Sequence, residues 1–278
     1  MNKLKLKLIA MALALVAVFV VYVVQSCGTS QSPQPEFNKP GNAEAIQKLL
    51  RADNVAAPQE GIAVAILLDT TGSMRDEVQG ADRQPKPKLE VAKMALLKLL
   101  TQLGAFGQKN PDKKILAGIY EFSTRPNLPS CRQLVPLGPP DFTAAHRALT
   151  AVLADGATPI GDAMIAAKRD LDATGFSHRH MLVITDGENN RGYMPGDVAQ
   201  VIAREPEGER AAIYFIAFDL GAEVFEPVKE AGGLVLAAQG EQQLTDTLDY
   251  ILTGKILVEQ PSSSAPSGHP IPLETKKK

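Results

Sequence analysis

From Gly61 to Leu252 the chain alternates two hydrophobic patterns. Short, predominantly apolar runs occur at Gly61–Leu68, Ile115–Phe122, Met181–Thr185, Ile213–Phe218 and Leu234–Ala238, with a weaker one at Arg132–Leu137. Runs of this length read as strands buried on both faces. Between them, apolar residues recur every three or four positions, which predicts helices over Lys88–Gly104, Phe142–Ala154, Ile160–Ala173, Pro195–Ala203, Val224–Ala231 and Glu241–Leu252. In the first of these, Leu89, Ala92, Leu96, Leu99 and Leu103 fall on one side. A short helix is predicted over Ala43–Arg51. Doubly apolar strands separated by helices imply a doubly wound α/β fold, with a mainly parallel central sheet and helices on both faces. Ligands of such sheets bind beyond the carboxyl ends of the strands.

The ends of the chain break this pattern. Lys3, Lys5 and Lys7 precede Leu8–Val24, which is free of charge. As a helix these seventeen residues would reach about 26 Å, slightly short of a ~30 Å hydrocarbon core. Residues 1–26 therefore read as a signal peptide or membrane anchor, with the lysines favouring a cytoplasmic N-terminus and an exported remainder. The segment Val24-Gln25-Ser26-Cys27-Gly28 resembles a bacterial lipobox, which implies lipidation at Cys27. Val24 and Gln25 depart from its usual Leu and small residue, so a retained anchor and plain secretion stay open. Residues 27–42, rich in Ser, Gln, Pro and Gly, read as a flexible linker. The folded domain is expected over 43–255 and a disordered tail over 256–278.

Composition narrows the picture further. With 278 residues, a net charge of −2, no Trp and 5% aromatics, the chain needs an aliphatic, Ala-rich core and shows no bias towards nucleic acid. The only cysteine besides Cys27 is Cys131, which reads as a small core or loop residue. His178 and His180 stand two apart on a strand with no third soft ligand, and read as surface or structural groups.

The candidate chemistry lies at the strand ends. The first strand runs into Asp69-Thr70-Thr71-Gly72-Ser73-Met74, where Asp69, Thr71 and Ser73 alternate across a turn and can converge. Gly156-Ala157-Thr158-Pro159 opens a helix, and Asp186 follows the strand Met181–Thr185. Asp, Thr, Gly and Ser are ordinary turn formers, so the first turn alone says little. Together the three segments form an all-oxygen donor set of low charge, suited to a hard cation.

In order and spacing, these motifs resemble the von Willebrand factor A domain family, from about Gly61 to Leu252. The resemblance implies a Rossmann-like fold with a metal-ion-dependent adhesion site. Asp69, Thr71 and Ser73 would supply its first motif, Thr158 its second and Asp186 its third, with Thr71 in place of a more usual serine. The implied cofactor is Mg2+ (or Mn2+ or Ca2+), and the implied partner is a protein offering an acidic side chain to the metal. Arg75–Pro87 interrupts the usual passage into the next helix. It reads as a charged loop at the rim and a candidate selector of partners.

The function expected is that of a non-catalytic, membrane-tethered binding module of the bacterial cell envelope, facing periplasm or exterior. The alternative is a Mg-dependent haloacid-dehalogenase-like phosphatase with Asp69 as nucleophile, which Asp69-Thr70-Thr71-Gly72 also resembles. That chemistry needs a carboxylate two residues after the nucleophile, and Thr71 stands there. A subunit of an ATP-driven cytoplasmic machine would conflict with the export segment.

Overall fold

The computed structural model describes residues 42–258. The expected signal or anchor segment, Cys27 and most of the expected linker and tail lie outside them. Among the described residues, no helix is long and apolar enough to cross a membrane.

Helix α1 (Ala43–Leu50) starts at Asn42, whose side chain accepts hydrogen bonds from the Glu44 and Ala45 amides. It leads into β1 (Gln59–Asp69), in which Ile62 to Asp69 are all buried. A small antiparallel pair follows, β2 (Glu77–Gln79) with β3 (Pro85–Pro87). Next come α2 (Lys88–Lys109), β4 (Ile115–Phe122), β5 (Cys131–Gly138), α3 (Phe142–Thr150), α4 (Ile160–Ala173) and β6 (Phe176–Thr185). The domain continues with α5 (Pro195–Ala203), β7 (Ala211–Phe218), α6 (Glu226–Glu230), β8 (Leu234–Ala238) and α7 (Gly240–Ile251).

The main sheet has the order β5-β4-β1-β6-β7-β8. All its pairings are parallel except β4 with β5. This is the doubly wound α/β sheet that the hydrophobic runs predict. Alternation along β1 divides the core into two layers. Val64, Ile66 and Leu68 pack towards α2, α3 and α7, whereas Ala63, Ala65 and Leu67 pack towards α1, α4, α5 and α6. The carboxyl ends of β1 and β6 therefore lie side by side at the centre of the sheet.

Three expectations need correction. Arg75–Pro87 is not an irregular rim loop. After a 3-10 turn at Gly72–Arg75 it folds into the β2–β3 hairpin, with Val78 buried in the core. Glu241 of α7 ties the hairpin down, accepting from the Ala81 amide and from Lys86 Nζ, both at 2.9 Å. Helix α3 stops four residues early, because the chain turns there so that Lys93 Nζ donates to the Val152 carbonyl and the Asp155 amide to the Thr70 carbonyl. Helix α2 instead continues through Gly104 and Gly107 and ends at Asn110, whose amide donates back to the Phe106 and Gly107 carbonyls.

Candidate metal centre

Asp69 is the last residue of β1 and is fully buried. Its Oδ1 accepts from the Thr71 amide at 2.8 Å, a local turn that points the chain at Gly72 and Ser73. Its Oδ2 accepts from Thr185 Oγ1 at 2.6 Å, which joins the ends of β1 and β6. Burial pushes the Asp69 carboxyl up to about 7, outweighing the bonds from Thr185 and Thr71 that favour its charged form.

A second thread runs through the hydroxyls. Thr71 Oγ1 lies 3.3 Å from Ser73 Oγ, and Ser73 Oγ donates to Asp186 Oδ1 at 2.7 Å. Asp69, Thr71, Ser73 and Asp186 are thus connected through hydrogen bonds across two neighbouring strand ends. Thr158 arrives from the loop before α4. A Cβ placed on Gly187 would stand 3.6 Å from Thr158 Oγ1 and 3.7 Å from Ser73 Oγ, so the two hydroxyls flank one small space that glycine leaves open. All five sequence-predicted residues therefore gather at the carboxyl edge of the sheet, although no direct bond joins Thr158 to the other four.

The Thr158 loop is held by residues that sequence reasoning did not single out. The Thr158 amide donates to Asn190 Oδ1 at 2.8 Å, and the Asn190 amide donates back to the Thr158 carbonyl at 3.0 Å. Pro159 offers no side-chain cap to α4. Asn189 Oδ1 supplies one, accepting from the Ile160 amide at 2.8 Å. Asp162, in the first turn of α4, reaches out of the helix and accepts from the Tyr193 amide at 3.1 Å. Gly156, with φ of 88°, sits so close to the neighbouring loop that a Cβ would come within 2.2 Å of the Thr124 carbonyl oxygen. Asn189 and Asn190 directly follow the Asp186-Gly187-Glu188 segment, and that adjacency was the one available signal. Glu188 itself is exposed at the rim.

Lys88 was also missed as a site residue. It is the first residue of α2, and its Nζ lies 3.1 Å from Asp186 Oδ2 and 3.1 Å from Asp219 Oδ2. Burial works against its charge, but the bonds from Asp219 and Asp186 prevail and hold the ammonium above the usual lysine range.

The donor set suits a hard cation: two carboxylates and three hydroxyls, with no nitrogen or sulfur among them. Among the described residues, no group of three or more His, Cys, Asp or Glu side chains is arranged to hold a metal, so the hydroxyls would have to complete the coordination. The remaining soft donors stand apart. His180 is fully buried, its Nδ1 is 3.3 Å from the Tyr214 hydroxyl, and burial depresses its pKa to about 3. Cys131 is a free thiol that burial pushes up to about 12.

Residues 64–188, which run from β1 to just past Asp186, match the family model of the von Willebrand factor type A domain. Over this stretch the chain is similar to that family. No curated protein matches its sequence. Among solved structures, the conserved hypothetical protein BatB from Bacteroides thetaiotaomicron is similar, with a TM-score of 0.52 and 19% identity over 69% of this chain and 98% of BatB. The PilB minor pilin from Streptococcus sanguinis has a TM-score of 0.52 and 15% identity over 71% of this chain and 62% of the pilin. The pilus adhesin SpaC from Lactobacillus rhamnosus GG has a TM-score of 0.52 and 13% identity over 71% of this chain and 31% of SpaC. At these identities the likeness concerns the fold, and the chain spans less than two thirds of the pilin and the adhesin.

Proposed function

We propose that this protein is an exported, membrane-tethered and non-catalytic binding module that captures partner proteins through a divalent cation. Asp69, Thr71, Ser73, Thr158 and Asp186 would hold Mg2+ (or Mn2+ or Ca2+), with the tether supplied by a lipid on Cys27 or by a retained N-terminal helix. The observation that carries this reading is the hydroxyl–carboxylate thread from Asp69 to Asp186, with the Thr158 hydroxyl across Gly187 from Ser73. A bound divalent ion would supply an electrophilic centre for an acidic side chain of the partner. Ser73 and Thr158 would present neutral oxygens to it, so that little of its charge is cancelled before the partner arrives. Asp69, with both oxygens already engaged, would hold the turn and act through water.

The domain type is commonly one of protein–protein interaction, and the minor pilin and pilus adhesin with similar folds agree with that direction. The phosphatase alternative needs an accessible nucleophile. Asp69 is fully buried, and Thr71 occupies the position of the acid/base.

Mg2+ or Mn2+ is expected to raise the melting temperature, by the equivalent of about 2.7 kcal/mol at a hundredfold excess over Kd. Asp69→Ala should abolish the shift, and a full shift retained in that variant would remove the proposed site. An EDTA-sensitive pull-down from membranes should lose its partner in Thr158→Ala. Phosphate-ester turnover that disappears in Asp69→Asn would instead favour the enzyme.

A further inference from the structure

The second carboxylate of the candidate centre already has a cation. Asp186 has a fully buried side chain whose Oδ1 accepts from Ser73 Oγ, on the hydroxyl thread, while its Oδ2 faces the Lys88 ammonium. The Lys88 side chain is only 8% exposed, and its ammonium is shared with Asp219, the residue after β7. Its position is fixed from several directions. The Lys88 amide donates to the Asp76 carbonyl at 2.8 Å, closing the base of the β2–β3 hairpin. The hairpin is in turn held to α7 through Lys86 and Glu241. The interrupting segment therefore delivers a lysine to the strand ends, and it arrives on the one Asp186 oxygen that the hydroxyls leave over.

We propose that Lys88 is a built-in counter-cation that lowers the affinity of the centre for divalent ions and confines Asp186 to a single oxygen towards them. This rests on the cation-site reading above. Two effects act in the same direction. A fixed positive charge repels a dication strongly at a site with little water. Asp186 is also neutralised before any ion arrives, so binding gains less from it. An ion held loosely by the protein retains more of its attraction for a partner's carboxylate. A lysine that served only to buttress the fold would have the opposite signature, because its removal would disorder Asp186 and weaken the ion.

The test is calorimetric titration of Mn2+ into the full-length chain and its Lys88→Met, Lys88→Gln and Lys88→Arg variants. Met and Gln remove the charge, and Gln retains a hydrogen-bond donor to Asp186 should the methionine variant fold poorly. Both are expected to bind Mn2+ more tightly by about tenfold or more, and Arg to stay within about threefold of wild type because it keeps the charge. Unchanged or weakened binding in Met and Gln, with wild type binding in an Asp69-dependent manner, would overturn the inference alone. Absence of Mn2+ uptake by wild type and every variant would overturn the cation site, and the inference with it.

Discussion

The two edges of the sheet both bury charge, but they balance it differently. At the amino edge, Lys168 of α4 is fully buried, with its Nζ 2.5 Å from Asp172 and 2.8 Å from Glu205, and Arg179 of β6 reaches Asp172 at 3.5 Å. Two cations meet two carboxylates beside a cleft of about 990 Å3, and Arg179 also donates to the Gly208 carbonyl. Burial raises the pKa of Asp172 and of Glu205, and Lys168 opposes the rise in each. At the carboxyl edge Lys88 is shared by Asp186 and Asp219, while Asp69 is held by the Thr185 hydroxyl and the Thr71 amide and the Ser73 hydroxyl takes the other Asp186 oxygen. The amino edge is electrostatically closed and ties helices to strand. The carboxyl edge carries an excess of negative charge under a set of neutral oxygens. Burial of charge is thus common to both edges; the unbalanced set of oxygen donors sets the carboxyl edge apart, and it is there that we propose the cation site.

The largest effect is expected from breaking the balanced edge. Lys168→Met removes a fully buried cation from two half-buried carboxylates and should cost about 3–5 kcal/mol in chemical denaturation. The Mn2+-induced thermal shift, read at a temperature where the variant is folded, should be unaffected. A loss below about 1 kcal/mol would mean that Asp172 and Glu205 are satisfied in another way.

A smaller effect separates the unbalanced edge. Asp69 holds its proton more tightly in the folded protein, at about 7, than in the unfolded chain, near 3.8. Its contribution to stability is therefore full below about pH 4 and is lost as pH rises towards and through 7. Asn does not titrate, and the Thr185 hydroxyl, which also contacts the Gly187 carbonyl at 3.1 Å, can turn to accept from its amide. In EDTA, the stability of Asp69→Asn relative to wild type should thus climb between pH 4 and pH 7.5, by up to about 4 kcal/mol. The difference between the two proteins is the informative quantity, because His180, buried with its pKa depressed to about 3, loses stability in the same range as pH falls. A flat difference would show that Asp69 is ionised in the metal-free protein at every pH tested.

The smallest effect belongs to the loop that carries Thr158. Asn190→Ala removes the acceptor of the Thr158 amide and should cost about 1 kcal/mol. It should also reduce, without abolishing, the Mn2+ response. An unchanged response at reduced stability would make Asn190 a purely structural tie.

Most of the fold was legible because its signal is local. The runs at Ile115–Phe122 and Leu234–Ala238 and the periodic stretches at Ile160–Ala173 and Pro195–Ala203 have the same bounds in sequence and structure. Where the reading fell short, distant contacts decided. The charged, proline-containing Arg75–Pro87 has no strand-like pattern. It becomes a hairpin because Val78 finds a place in the core and Glu241, more than 150 residues away, accepts from Ala81 and Lys86.

The sequence by itself determined the alternation of elements, the parallel sheet, and the types of donor at three strand or helix ends, since periodicity and turn chemistry are properties of neighbouring residues. Only the tertiary structure decided which groups meet. It brought Thr185 onto Asp69, Asn189 and Asn190 onto the Thr158 loop, and Lys88 onto Asp186. Each of these contacts joins segments about 30 or more residues apart, brought together by burial of the sheet faces, and no spacing along the chain encodes a hydrogen bond at that range.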